Sequence, residues 1–176
     1  MNPVGNAARP LILIAIFAGP GTADPESQPP VKFAPAAPGT WAADWQGTVE
    51  RTYFFQWSPD MVNWYYAPFM DFGVGEHSRG GASSTPSFFV RLHCDNDPGI
   101  TSLDEAMNAD FDQDGLSNIF EVTFGYDPFD PESTIGGPDS ALDPDNDGLG
   151  NDSEQAGGSD PMAKDNPVLQ LEVNVE

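Results

Sequence analysis

The sequence predicts a mostly β chain of the α+β class. A small β-sandwich-like module is expected first, then two repeats that each combine a loop with a short helix, then a C-terminal strand. Three observations carry this prediction. Residues 47–94 contain runs of alternating aromatic and β-branched residues. An acidic 12-residue pattern occurs twice, 33 residues apart. The segment 168–175 alternates apolar and polar residues.

Residues 1–23 are expected to be a secretory signal peptide. Arg9 closes a short n-region, and residues 10–18 form an apolar core. That core is shorter than the ~20 residues that a membrane-spanning helix needs. Gly21 and Ala23 are small residues at the −3 and −1 positions, so cleavage is expected after Ala23. A retained membrane anchor is the alternative. We therefore expect a secreted or cell-surface protein with no membrane insertion after signal removal.

Residues 24–46 are rich in proline and alanine and are expected to form an extended lead, because proline fixes φ and disfavours helix. Trp41 and Trp45 suggest that the end of this lead docks onto the β module at 47–94. Turn residues and the alternating pattern divide the module. The expected strands are residues 49–58, 62–66, 69–74 and 87–93, and the Gly- and Ser-rich stretch 73–87 is expected to be a loop.

The C-terminal segment 167–176 is expected to be a strand without a local partner. It can return to the first sheet and cover an edge, or insert into a neighbouring molecule. Before the repeats, residues 102–108 are expected to form one short helix with Ser102 as its N-cap.

The charge of the chain points to cations as partners. Asp and Glu number 28 against 6 Lys and Arg, giving a formal net charge of −22. Of these acids, 19 lie between Asp95 and Asp165. Nucleic acid binding requires clustered Lys and Arg, which this composition excludes. A surplus of this size repels itself unless a counter-charge neutralises it.

The region 95–166 carries the repeated pattern, D-x-D-x-D-G-x₅-E, at residues 110–121 and 143–154. Ten of 19 aligned positions are identical between the copies. Carboxylates at loop positions 1, 3, 5 and 12, with a backbone carbonyl at 7 and an amide at 9, supply the 6–8 oxygens that Ca²⁺ prefers. Two Ca²⁺ ions are expected. The predicted ligands are Asp110, Asp112, Asp114, Leu116, Asn118 and Glu121 in the first loop, and Asp143, Asp145, Asp147, Leu149, Asn151 and Glu154 in the second.

Two other interpretations of these loops are open. One is a solvated Asp- and Gly-rich turn that holds no ion. The other is a magnesium site, which is disfavoured because Mg²⁺ resists all-protein cages. The helix after the first loop is expected at 119–124 with Gly125 as its stop, and the helix of the second copy is expected to be weaker.

These loops, each followed by Gly-x-Asp-Pro, resemble the thrombospondin type 3-like calcium repeats of secreted bacterial proteins, which belong with EF-hand-like and dockerin-like loops. The resemblance covers residues 110–165. It implies a contribution of Asp127 and Asp160 to cation binding or to packing between repeats. Ser117 and Gly150 occupy loop position 8, where a paired EF-hand has an apolar residue, and no helix is expected to enter the second loop.

Other chemistries are weaker in this sequence. His77, His93 and Cys94 lack zinc-site spacing, and no nucleophile motif is present, so no enzymatic activity is expected. Cys94 is the single cysteine, either a buried thiol or the donor of an intermolecular bridge. A sugar-binding platform is conceivable but less favoured than core packing for four aromatic residues, Trp57, Trp64, Tyr65 and Tyr66.

The function expected from the sequence is that of an extracellular structural or adhesive protein whose acidic repeats are made rigid by Ca²⁺. Its expected partners, besides calcium, are copies of itself or another surface protein. The alternatives are a fibre subunit assembled by donation of the C-terminal strand, and a dockerin-like docking module.

Overall fold

The computed structural model describes residues 31–34, 40–82, 89–96 and 99–164. The predicted signal peptide and the predicted C-terminal strand lie outside these residues. The chain divides into two compact units, Met1–Ala109 and Asp110–Glu176, and each is described here by itself.

The first unit is built from six antiparallel strands in two sheets. The strands are β1 (Lys32–Ala34), β2 (Thr40–Gly47), β3 (Arg51–Ser58), β4 (Tyr65–Phe72), β5 (Gly75–Ala82) and β6 (Phe89–Asn96). One sheet has the order β1-β2-β5 and the other the order β4-β3-β6. The predicted mostly β class, with a few helices, is therefore confirmed.

The two sheets share one apolar core. In β2, burial alternates so that Trp41, Ala43 and Trp45 point inward. The Trp41 ring stacks on Phe55 of β3, with 5.0 Å between ring centroids. The core side chains are Trp41, Ala43, Trp45, Tyr53, Phe55, Ala67, Val90, Leu92 and Cys94. Strand β3 is buried on both faces, which explains why its apolar residues do not alternate.

The module begins earlier than residue 47. Strands β1 and β2 lie within 24–46, the segment predicted to be an extended lead, and β2 pairs with β5 along its full length. The two tryptophans do dock as the sequence suggests. They do so as core residues of a strand, because residues two apart on a strand share one face.

The predicted loop at 73–87 is wrong over most of the described part, because Gly75–Ala82 is strand β5. This strand has no apolar alternation. Its glycines serve close packing: a Cβ built on Gly80 would lie 2.8 Å from the Trp41 carbonyl oxygen. Glycines in a sequence usually indicate a turn. Here they allow β5 to pack closely against β2, so the sequence pattern does not reveal the strand.

The two short strands predicted at 62–66 and 69–74 are a single strand, β4. Pro68, in its middle, has no N–H to donate. The ladder between β3 and β4 shifts register between Phe54 and Gln56, opposite this proline. Strand β4 lies at the edge of its sheet, where proline and irregular pairing are tolerated.

Helix α1 (Leu103–Asn108) belongs to the first unit, although the sequence placed it in the acidic region that starts at residue 95. Its predicted cap is confirmed: the Ser102 side chain accepts a hydrogen bond from the Glu105 amide. Ala106 is fully buried. Among the residues described, no helix is both long and apolar enough to cross a bilayer.

The second unit contains α2 (Asn118–Phe124), a short 3-10 helix (Asp139–Ala141) and α3 (Asn151–Gly157). Helix α2 ends at Gly125, as predicted. Helix α3 was expected to be weaker, but like α2 it is seven residues long. It reaches this length although its N-cap, Gly150, has no side chain to accept a capping hydrogen bond. The 3-10 helix lies just before the second loop, where the sequence predicted no helix. A small core consists of Leu116, Phe120 and Tyr126, with Phe124 and Leu142 packed against it.

Candidate metal centre

The first acidic loop, residues 110–121, is shaped by its own carboxylates. Asp110 accepts hydrogen bonds from the backbone amides of Gln113 at 2.6 Å and Gly115 at 3.0 Å. Asp112 accepts from the Asp114 amide at 3.1 Å. The Asp112 bond is an Asx turn, in which a side chain accepts from the backbone amide two residues on, and the Asp110 bonds reach three and five residues on. They bend the chain so that successive carboxylates face the same space.

The tight curl forces two residues of each loop into the left-handed region. Gly115 has φ 104° and Gly148 has φ 98°, a conformation that glycine adopts cheaply. Loop position 4 is also left-handed, with φ 67° at Gln113 and 60° at Asn146. The sequence pattern singled out the glycines but missed position 4, whose side chain takes no part in the ligand pattern.

Both aspartate triplets converge. Carboxylate oxygens of Asp110, Asp112 and Asp114 lie within 4.8 Å of one another, and the same holds for Asp143, Asp145 and Asp147. Each triplet can therefore hold a metal ion. Within the described ranges, these are the two groups of three or more His, Cys, Asp or Glu side chains that meet this condition.

Glu121, at position 12 of the first loop, lies near the triplet, since the charges of its three aspartates shift the Glu121 pKa. It lies in the first turn of α2 and has 0% of its surface exposed. In the part of the chain that the structure describes, neither of its carboxylate oxygens has a hydrogen-bond donor. Burial first, and then the charges of Asp112, Asp114 and Asp110, together raise the pKa of Glu121 to about 9.

The pKa of Asp112 is also raised, to about 6, first by burial and then by the charges of Asp114 and Asp110. Its Oδ2 atom is buried, and the described residues offer it no donor. Three aspartate carboxylates of one loop are therefore held together despite their mutual repulsion, with the buried Glu121 carboxylate near them. A cation coordinated by oxygen atoms fits this donor set.

The second loop repeats the arrangement. Asp143 accepts from the amides of Asp147 at 3.1 Å and Gly148 at 3.1 Å, and Asp145 accepts from the Asp147 amide at 3.0 Å. Desolvation and the charges of Asp147 and Asp143 raise the pKa of Asp145. Glu154, in the first turn of α3, has 0% exposure like Glu121. The local geometry that the repeat predicts is thus present twice.

The remaining predicted ligands, at positions 7 and 9, also lie in the loops. Leu116 is fully buried in the small core, whereas Leu149 is half-buried. The side chains of Asn118 and Asn151 are both fully buried. The Asn118 Oδ1 atom accepts from the Phe111 amide at 3.2 Å, which closes the loop across its mouth.

Asp127 and Asp160, which the resemblance linked to cation binding or packing, cap turns after the helices. Asp127 Oδ1 accepts from the Phe129 amide at 3.1 Å, and Asp160 Oδ1 accepts from the Met162 amide at 2.9 Å. The charge of Asp127 adds to the rise in the Glu121 pKa. Asp127 therefore belongs to the electrostatic surroundings of the first site.

Sequence reasoning missed Asp139. Its carboxylate is fully buried and accepts from the backbone amides and hydroxyls of Ser133 and Thr134. It thereby fixes the chain that enters the second loop. No spacing rule identifies this residue, because its partners lie in an irregular segment.

The other candidates have structural roles. Cys94 is a free, buried thiol, and burial raises its pKa to about 12. His77 stacks on Trp45 with ring centroids 5.4 Å apart, and His93 packs edge-on against Phe54. Trp57 packs against the β core.

Of the remaining aromatic residues proposed as a sugar platform, Trp64 is covered by the Arg91 guanidinium, 4.3 Å from the ring centroid. Tyr65 is 49% exposed and its ring is tilted against Trp57, with the centroids 5.0 Å apart. Tyr66 packs edge-on against Phe54. Among the described residues, the β core packs against Trp57 but does not include the other three, so core packing is supported for Trp57 only.

Comparisons with protein-family models, with curated protein sequences and with solved structures found no match to this chain.

Proposed function

We propose that this protein binds two Ca²⁺ ions in the loops 110–121 and 143–154. In the proposed role, it is an extracellular structural or adhesive protein, and the ions make its acidic unit rigid. The ligands are the residues predicted from the repeat. The loops carry no catalytic group in this proposal, because their carboxylates are committed to turns and to the ion.

The observation that carries the proposal is the buried carboxylate of Glu121. A buried polar group without a partner costs free energy, and a buried charge costs far more unless it is paired or bound to a metal. Glu121 has no donor among the described residues and lies near three ionisable aspartates. In this proposal, a divalent cation compensates the charges of the three converging aspartates and of the nearby Glu121 carboxylate.

The donor set favours calcium over other divalent metals. Zinc prefers nitrogen and sulfur ligands, and the described triplets offer only oxygen. Magnesium demands octahedral geometry and usually keeps several waters, whereas calcium accepts 6–8 oxygens, including a bidentate glutamate at position 12. The fully buried Glu121 and Glu154 stand at that position.

Coupling between ion binding and folding is the proposed mechanism. Without an ion, the carboxylates of each loop are partly desolvated and repel one another, and these two effects, burial first, raise the pKa values of Asp112 and Glu121. Extracellular calcium modules bind at ~10⁻⁴–10⁻³ M. At tenfold excess of Ca²⁺ over the dissociation constant, each site stabilises the folded state by about 1.4 kcal/mol.

Calorimetric titration of calcium-stripped protein tests this proposal. We expect two sites in the unaltered chain, and one site in Asp114→Ala and in Asp147→Ala. Glu121→Gln should weaken the first site most. Glu132→Gln is the matched control, because it makes the same chemical change at an exposed residue outside both loops. Absence of binding at Ca²⁺ concentrations up to about 10 mM, tenfold above the expected range, would refute the proposal.

The extracellular setting rests on the predicted signal peptide. Mass spectrometry of the protein recovered from the medium of a secreting host should show a chain that begins at Asp24. A chain that keeps Arg9 and remains in the membrane fraction would favour the anchor instead, and would leave the calcium sites unaffected.

A further inference from the structure

The side chain of Gln155, on α3 of the second copy, contacts the first loop. Its Oε1 atom accepts from the Ser117 amide at 2.7 Å and from the Ser117 hydroxyl at 2.8 Å. Its Nε2 atom donates to the Gly115 carbonyl oxygen at 3.1 Å. Gln155 directly follows Glu154, the position-12 residue of the second loop. The Gln155 side-chain amide therefore links the tight turn at Gly115 of the first proposed site to Glu154, the last residue of the second.

A second bridge joins the same two loops. The Ser140 amide donates to Asp114 Oδ2, a proposed ligand atom of the first site, at 3.0 Å. The neighbouring Asp139 carbonyl accepts from Asn151 Nδ2 of the second loop at 2.6 Å. Because the Asp139 carboxylate is held by Ser133 and Thr134, this turn is a fixed support between the sites.

The Gln155 contact is not reciprocal. Thirty-three residues earlier, its counterpart on α2 is Val122, which is buried and carries no polar atom. The counterpart of Ser117 is Gly150, which has no hydroxyl. Ser117 also caps α2, since its Oγ accepts from the Phe120 amide. The Gln155 contact therefore reaches the helix that carries Glu121.

We propose that Gln155 is a positioning residue that couples the two sites, so that Ca²⁺ in the second loop raises the affinity of the first. This inference rests on the proposed calcium binding. Coordination by Glu154 would fix the first turn of α3, and Gln155 would then hold residues 115–117 in their bound arrangement. The first loop would then lose less conformational entropy when it binds its own ion, because residues 115–117 are already ordered. Coupling of this kind is reciprocal and typically amounts to 5- to 150-fold in affinity.

A double-mutant cycle measures the coupling. The occupancy of each loop is followed separately by NMR, from the amide signals of Gly115 and Gly148, during Ca²⁺ titration of four chains: unaltered, Asp147→Ala, Gln155→Ala and the double variant. Asp147→Ala is expected to empty the second site without altering Gln155 or its partners Ser117 and Gly115. We expect it to weaken the first site roughly fivefold or more when Gln155 is present, and less than twofold when it is absent.

This design separates coupling from simple stabilisation. A purely structural role for Gln155 would weaken the first site equally whether the second is filled or empty, and that result would overturn the inference. Ser153→Ala is the control, because it alters the same helix at an exposed residue whose hydroxyl donates to the adjacent Asp152. It should leave the fivefold effect intact. If the unaltered chain binds no Ca²⁺, the proposed function fails and the inference fails with it.

Discussion

At the scale of single residues, the acidic loops are strained in two ways, by backbone conformation and by charge. Gln113 has φ 67°, a left-handed conformation that costs an L-residue roughly 1–2 kcal/mol. Its side chain is exposed, so the strain belongs to the backbone rather than to packing.

Substitution of Gln113 therefore separates backbone strain from ligand chemistry. We expect Gln113→Gly to raise the free energy of unfolding by up to about 1 kcal/mol, and Gln113→Val to lower it by about 1–2 kcal/mol. Urea unfolding in saturating Ca²⁺ measures both, with Gln113→Ala as the intermediate reference. Equal stability of the glycine and valine variants would contradict the strain.

The charge strain predicts a pH dependence. In the calcium-free folded chain, the pKa of Glu121 is about 9 against an ordinary 4.5. Between these values the folded state binds more protons than the unfolded state, so stability falls as pH rises through this window. Below about pH 4.5 both states are protonated and the effect is absent.

Urea unfolding of calcium-stripped protein between pH 6 and pH 8.5 should therefore show stability declining with pH. Because Ca²⁺ binds the ionised carboxylate, saturating Ca²⁺ should remove the decline or reverse it. Glu121→Gln, which cannot ionise, should flatten the profile without calcium. A stability that rises with pH in the stripped protein would contradict the raised pKa.

At the scale of elements, the sequence predicts well those features whose interacting residues are close together in the chain. The loops and α2 were predictable because their ligands, glycines and cap lie within one continuous stretch. Strand β5 was not, because its pairing with β2 joins residues such as Asp44 and Ser78 that are far apart in sequence. Gln155 escaped prediction for the same reason, since its partner Ser117 is 38 residues away.

Two glycines in different elements make opposite predictions. A Cβ on Gly80 of β5 would lie 2.8 Å from the Trp41 carbonyl oxygen, so Gly80→Ala must push β2 and β5 apart. A Cβ on Gly157 of α3 meets nothing within 4 Å, and alanine is favoured over glycine in a helix.

We expect Gly80→Ala to lower the melting temperature of the β unit by several degrees, corresponding to about 1–3 kcal/mol. Gly157→Ala should raise the stability of the second unit by about 0.5–1 kcal/mol. Differential scanning calorimetry of both variants checks the pair. A neutral Gly80→Ala would show that the two strands can separate without cost.

At the scale of the whole molecule, the two units are expected to be stabilised by different interactions. The β unit has an apolar core containing several aromatic rings. The second unit has a much smaller core beside its two acidic loops. The first should be stabilised mainly by hydrophobic burial, which divalent ions do not change, and the second by its ions.

Heating the full chain should therefore give two transitions in calorimetry. Removing Ca²⁺ with a chelator should lower the transition of the second unit by several degrees or abolish it, and leave the β transition unchanged. A parallel titration with Mg²⁺ at the same concentration is the control for ionic strength. One transition that shifts as a whole would mean that the units unfold together.

The buried sulfur of Cys94 has a practical consequence. It is the single thiol of the chain, it sits in the β core, and at neutral pH it is protonated. A thiol-specific reagent can react with Cys94 only when that core transiently opens. The labelling rate therefore reports how often the β core opens. Cys94 thus reports on the opening of the β unit alone. Its labelling rate can be compared with the rate of unfolding of the acidic unit in the same molecule.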